Sequence, residues 1–327
     1  MIKVWKIFLI KMTPINKPLV SIIIPAYNKA SYTIKAIKSV LSQTYNNIEL
    51  IVVNDGSTDD TYELLKKISD KRFIFYDIKN SGACIARNYG IKKANGKYLS
   101  FLDCDDTYEK NKIEKSISVL ERNRDYKFIY TDVNFIDKND NIVGKTPHYR
   151  NHPGSGFIAK KLILCDYNIT NSTLLMCKEC IEIIGNFDEK IFIPADREFL
   201  IRLSSKFKGY YLNHSLTNYR VHNETIYKNV DIAFSEFKYM INKFNKSKII
   251  PNKGYYNKCL SNICYNFSKI YAFNKSIHKF REMLIKSLYY NMLDKKFFYK
   301  IAGLSISFIY PKLIFIYFSK YNKFKND

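Results

Sequence analysis

Apolar and polar positions fall in blocks along the first hundred residues. Leu19-Val20-Ser21-Ile22-Ile23-Ile24 is a continuous apolar run that predicts a buried strand of the parallel type. Pro25-Ala26-Tyr27-Asn28 follows it, and Pro25 is expected to stop the ladder and open a loop. From Ser31, the recurrence of Ile34, Ile37, Val40 and Leu41 predicts a helix with one apolar stripe on the sheet. A second strand is predicted over Ile48 to Val53. It ends at Asn54-Asp55-Gly56-Ser57-Thr58-Asp59-Asp60, and Leu64, Leu65 and Ile68 mark the next helix. A third strand near Phe73 to Tyr76 leads to Asn80-Ser81-Gly82, then a helix carrying Arg87 and Asn88 that is broken by Gly96. The fourth, within Tyr98-Leu99-Ser100-Phe101-Leu102, stops abruptly on Asp103, Asp105 and Asp106.

Strands alternating with helices predict an α/β fold with a mostly parallel, doubly wound sheet, and such sheets bind ligands at the carboxyl ends of their strands. Here those ends carry Tyr27 and Asn28, Asp55, Gly82 with Arg87, and the Asp103/Asp105 pair. Each has a plain alternative. Asn28 and Asp55 serve as turn formers, Gly82 as a positive-φ position, Arg87 as a helix-surface cation, and Asp105 or Asp106 as a helix cap. Their convergence on one edge favours a site. Carboxylates packed so tightly need a cation, and Asp-x-Asp at a strand end suits Mg²⁺ or Mn²⁺ bridging to phosphates.

Beyond Asp106 a helix is expected to about Arg122, with Ile113, Ile117 and Leu120 inward. A strand over Phe128 to Val133 and a hairpin turn at Asp137-Lys138-Asn139-Asp140-Asn141 follow. His148 to Gly156 reads as an irregular loop, a candidate lid. Pro153 and Gly154 argue against a helix that would set His148 and His152 on one face for zinc, and Cys177-Lys178-Glu179-Cys180 lacks the second ligand pair a zinc site requires. Cys177 and Cys180 read as small buried residues.

Composition supports a sizeable core: 327 residues, 46% hydrophobic and 16% aromatic. Seven scattered cysteines make no disulfide scaffold and fit a reducing compartment. The net charge of +23 is uneven, since Lys228 to Asp327 holds 19 Lys and Arg against 5 Asp and Glu. No nucleic-acid motif accompanies it, so that partner is not expected. The first strand is followed by Pro-Ala-Tyr-Asn and not by a G-x-G-x-x-G turn, which argues against a dinucleotide oxidoreductase. Residues 1–17, with Lys3, Lys6 and Lys11 around a short apolar core, do not form a secretory signal and read as a leader, interfacial or disordered. The run Ile301 to Phe318, interrupted by Pro311 and Lys312, is too broken to span a bilayer and suits an interface with an anionic membrane.

Val20 to Asn28, Val53 to Asp59, Ala86-Arg87-Asn88-Tyr89-Gly90, Gly96-Lys97-Tyr98 and Phe101 to Asp106 together resemble, in order and spacing, the successive motifs of family 2 glycosyltransferases. The resemblance implies a GT-A fold over residues 18–227, with a nucleotide-binding half at 18–106 and an acceptor-binding half at 107–227. A basic, mainly helical extension at 228–327 would follow. It implies inverting transfer from a nucleotide-sugar donor to a glycan or lipid-linked acceptor in cell-surface polysaccharide synthesis, by a cytoplasmic protein peripheral to the inner face of the membrane. A non-catalytic nucleotide-sugar binding module is the alternative, disfavoured because the acidic constellation is intact. Carried over by position, Pro25, Ala26, Tyr27, Asn28, Asp55, Gly82 and Arg87 line the nucleotide, with Asp103 near the ribose. Asp103 and Asp105 hold Mn²⁺ or Mg²⁺. Tyr219-Arg220-Val221-His222 resembles the closing motif that brings His222 to the metal, and Asp196, in Pro194-Ala195-Asp196-Arg197-Glu198, matches the general base, with Asp188 and Glu198 in reserve. Ala195 departs from the family's Glu-Asp pair at this point.

Overall fold

The computed structural model describes residues 17–145, 153–164, 167, 169–222, 229–292, 294 and 296–309. The leader through residue 16, His148 and His152, and the apolar run beyond residue 309 lie outside the described residues.

The first half alternates as its patterning predicts. Strand β1 (Val20–Ala26), helix α1 (Ala30–Leu41), β2 (Ile48–Asp55), α2 (Thr61–Lys66), β3 (Phe73–Ile78), α3 (Ala83–Lys93) and β4 (Tyr98–Phe101) follow one another. Val20, Ile22, Ile23 and Ile24 are all sealed from solvent, because β1 lies inside a sheet covered on both faces. Pro25 does not stop the ladder. β1 continues through it to Ala26, with Pro25 opposite Val53 and Ala26 opposite Asn54 on β2. The Ile23 carbonyl accepts from Leu102 on the β4 side. Pro25, two residues on, turns its nitrogen the same way, where β4 has already ended, so no donor is missed.

The chain then passes through β5 (Thr107–Tyr108), α4 (Lys112–Arg122), β6 (Tyr126–Ile136), β7 (Ile142–Lys145), α5 (Ala159–Ile163), β8 (Leu175–Cys177), α6 (Cys180–Ile184), α7 (Ala195–Lys206) and β9 (Lys208–Arg220). All nine strands join one sheet in the order β3-β2-β1-β4-β8-β6-β9-β5, with β7 paired to β6. The β3-β2-β1-β4 half is parallel, and β8 turns the sheet antiparallel on both of its sides. A strand as long as β9 is not apparent in the sequence. Cys177 and Cys180 are buried free thiols, and burial raises the pKa of both.

Four helices close the described chain: α8 (Val230–Lys246), α9 (Lys253–Phe273), α10 (Ile277–Tyr290) and α11 (Phe297–Ile309). Buried apolar side chains form one cluster from Val20 on β1 to Leu284 on α10, so α8 to α10 share the core of the sheet. Among the described residues no helix is long and apolar enough to cross a membrane.

Candidate active site

The polar groups gather where the parallel strands end. After β1 the chain takes two successive left-handed residues, Asn28 (φ 54°) and Lys29 (φ 60°). The bend is held by hydrogen bonds to the turn after β2: the Asn28 amide donates to Ser57 Oγ at 2.9 Å, Thr58 N–H donates to Asn28 Oδ1 at 2.9 Å, and Ala30 N–H donates to Asp59 at 3.0 Å. Non-glycine residues keep such a conformation only when their surroundings fix it. The consequence is that the Lys29 ammonium reaches Asp105 Oδ2 at 2.6 Å. His222, just past β9, places Nε2 at 2.6 Å from the same oxygen. Burial alone would raise the Asp105 pKa, but Lys29 and His222 outweigh it and hold the carboxyl below its ordinary value.

A second chain of contacts starts at Asp103. Arg87, on α3 and nearly buried, donates to Asp103 Oδ1 at 2.6 Å and stands 3.6 Å from Asp196 Oδ1 on α7. Its guanidinium also lies over the Phe187 ring, 5.4 Å from the centroid. Arg87 Nε is buried without a hydrogen-bond partner. Asp196 sits in the first turn of α7 and accepts from the backbone and side-chain nitrogens of Asn171 at 3.1 and 2.6 Å. Burial pushes its pKa up, and neither Arg87 nor the Asn171 amide cancels that rise. The side chain nevertheless retains 29% of its exposure, so it remains open to the cleft.

Asp55 and Gly82 meet at the next strand end. The Asp55 carboxylate accepts from the Ser81 and Gly82 amides at 2.7 and 2.8 Å, tying the end of β2 to the start of α3. Gly82 has φ 97°, and a Cβ there would come within 2.6 Å of the Phe192 ring. Tyr27 is half exposed beside this edge, while Pro25 and Ala26 are the last residues of β1.

Asp106 behaves differently from its neighbours. It is buried, accepts from Ser172 Oγ at 2.6 Å and Arg220 N–H at 2.9 Å, and is pushed well above the carboxylate range by burial and then by Asp103 and Asp105. Neither Asp105 nor Asp106 caps α4, whose N-cap is Asn111. Asp188 and Glu198, the reserve bases, lie apart from this edge. Lys243 of α8 contacts them at 2.6 and 2.8 Å, and Arg202 also holds Glu198 at 2.8 Å. Lys29, Asn171, Ser172 and Arg220 are the participants that sequence reasoning did not single out. Only Arg220 carried a signal, as a neighbour of His222 in one motif.

Comparison with known proteins gives a consistent picture. The family model described as glycosyl transferase family 2 matches residues 21–178. An uncharacterized glycosyltransferase of Rickettsia typhi is 35% identical over 77% of this chain and 80% of its own length. An Escherichia coli protein named UDP-Glc:alpha-D-GlcNAc-diphosphoundecaprenol beta-1,3-glucosyltransferase is 36% identical over 73% of this chain and 89% of its own. Among solved structures, S. aureus TarS 1–349 in complex with UDP-GlcNAc superposes with a TM-score of 0.59 over 83% of this chain and 91% of that one, at 16% identity, a likeness of fold.

Proposed function

The chain belongs to the family 2 glycosyltransferases, and we propose that it moves one sugar, with inversion, from a uridine diphosphate sugar to a lipid-linked glycan acceptor in cell-surface polysaccharide synthesis. The single observation that carries the reading is the bridge Asp103–Arg87–Asp196, which joins the donor end of the cleft to a carboxylate on a different element. The Escherichia coli relative, named for transfer from UDP-Glc to a diphosphoundecaprenol-linked sugar, supports both the donor and the acceptor class.

In this reading Pro25, Ala26, Tyr27, Asn28, Asp55 and Gly82 frame the nucleoside, and Asp103 faces the ribose. Arg87 orients Asp103 and Asp196 together. Asp196 accepts the proton of the acceptor hydroxyl as that oxygen attacks the anomeric carbon, and its raised pKa brings it nearer to the value a base needs at neutral pH. Asn171 holds the carboxylate in place.

Asp105 and His222 fit a divalent cation. A carboxylate oxygen and an imidazole nitrogen meet there at 2.6 Å, a donor pair that suits Mn²⁺, which would displace the Lys29 ammonium from the same oxygen. No group of three or more such side chains is assembled among the described residues, so the diphosphate and water must complete the shell. When bound, Mn²⁺ or Mg²⁺ would supply Lewis-acid stabilisation of the charge growing on the leaving diphosphate.

A thermal-shift panel of nucleotide sugars, with and without Mn²⁺, tests this. A donor at a hundredfold excess over its Kd stabilises the folded state by about 2.7 kcal/mol, so the true donor should raise Tm most. Asp105→Ala should remove the Mn²⁺-dependent part of that shift. A panel without any response, or an undiminished Mn²⁺ effect in Asp105→Ala, would overturn the assignment.

A further inference from the structure

Helix α11 turns its large aromatic side chains outward and keeps two polar side chains, beside Leu304, on its inward face. Its inward face carries Lys300 and Ser307, both fully buried, while its outward face carries Phe298 at 81% exposure, Tyr299 at 70%, Phe308 at 64%, and the exposed Ile301 and Ile306. A surface helix in water shows the reverse arrangement.

The inward polar groups are held too well for the helix to roll over. The Lys300 ammonium donates to Asp294 Oδ2 at 2.6 Å and to Ser261 Oγ at 2.9 Å. Arg281 of α10 donates to Ser307 Oγ at 3.2 Å and also bonds the Ser307 carbonyl. Gly303 brings α11 against α10, where a Cβ would stand 3.3 Å from Leu284. Rotating the apolar face inward would break the bonds of Lys300 to Asp294 and Ser261 and of Ser307 to Arg281.

We propose that the outward face of α11 docks into the interfacial layer of an anionic lipid bilayer, laying the helix in the membrane plane. Lys300 and Ser307 fasten the inward face to α9 and α10, so only the outward face is free to meet lipid and the helix lies along the surface. The rest of the region supplies the complementary charge: the last hundred residues carry 19 Lys and Arg against 5 Asp and Glu. Arg281, with its guanidinium 4.1 Å from the Phe308 centroid, joins a cation to the apolar face. An interface-bound enzyme meets a lipid-linked acceptor by diffusion in the plane, yet the docking itself requires neither donor nor acceptor. A failed transfer assay therefore leaves it standing.

The test is flotation of the full chain with phosphatidylglycerol-containing vesicles and with phosphatidylcholine vesicles, at low and high salt. Wild type should float with the anionic vesicles, and salt should weaken but not abolish this. Combined Phe298→Ser, Ile306→Ser and Phe308→Ser should lower the partition coefficient by about tenfold or more, given what each buried methylene contributes at an interface. Ile142→Ser with Val143→Ser, exposed apolar positions on β7, should leave it unchanged. Melting curves establish that each variant is folded, and Tyr299→Ser alone serves if the triple variant is not. Equal flotation of wild type and a folded α11 variant overturns the proposal. So does a lipid-free wild-type dimer that the same substitutions make monomeric, or a wild type that floats with neither vesicle.

Discussion

Two clusters of paired carboxylates and cations flank helix α7, and they differ in what they leave unsatisfied. Behind the helix, Glu198 accepts from Arg202 Nε and Nη2 at 2.8 Å each and stands 2.8 Å from Lys243, while Arg202 bonds the Ile184 and Asn186 carbonyls. Glu198 is sealed from solvent. In front, Asp196 lies two residues earlier, about 200° around the helix, and its cluster is open. Arg87 keeps an unpartnered Nε there, and one oxygen of Asp105 is shared by Lys29 and His222. Pair distances hardly distinguish the two clusters. Exposure does: a closed network fastens α8 to α7, whereas in the open one the Asp196 side chain keeps 29% of its exposure and faces the cleft.

The largest effect should come from breaking the closed cluster. Glu198→Ala removes the buried carboxylate shared by Lys243 and Arg202, which keep Asp188 and backbone carbonyls as partners, and should cost about 3 kcal/mol. Denaturant midpoints should fall accordingly, while the fraction that folds keeps its nucleotide-sugar affinity. Lost affinity at unchanged stability would place Glu198 in the open cluster instead.

Gly82→Ala comes next. With φ 97° and a Cβ 2.6 Å from the Phe192 ring, the substitution should cost about 1–3 kcal/mol. It should also weaken nucleotide binding, because the Gly82 amide is one of the two that fix Asp55. Calorimetric binding and melting curves measured side by side check both effects. Unchanged affinity would separate Asp55 and Gly82 from the nucleotide.

The parallel half was legible because each of its strands is a short, largely apolar run followed by polar turn residues, although Pro25 lies inside β1 and does not close it. β9 was not. Its pairing with β6 shifts register around Thr131 and Asp132, and residues such as Asn213 and His214 remain exposed, so no period-two pattern survives in the sequence. β8 has only three residues, too few for periodicity. Motif resemblance singled out Asp103, Arg87 and Asp196 as separate candidates, and the structure joins them through ion pairs. Lys29 could not be found that way. Its contact with Asp105, 76 residues away, depends on two left-handed residues that a local pattern does not encode. The same holds for Asn171, whose partner Asp196 lies on another element.

Lys29→Met probes that contact and should have the smallest effect on folding. The pair is exposed on the lysine side, so stability should change by less than about 1 kcal/mol. Titration calorimetry should show tighter Mn²⁺ binding to the nucleotide-free chain, since the competing ammonium is gone. Weaker Mn²⁺ binding would mean that Lys29 organises the cation site and does not compete for it.

The most direct test of the account compares wild type with Asp196→Asn. Burial raises the Asp196 pKa, and only the carboxylate form can take a proton, so wild-type transfer should fall on acidification at a pH above the ordinary carboxylate range. Asp196→Asn should lose transfer by about a hundredfold or more and lose that acid limb, with nucleoside diphosphate and Mn²⁺ binding nearly unchanged. Near-normal turnover of Asp196→Asn, with the acid limb intact, would contradict the account and assign the base elsewhere.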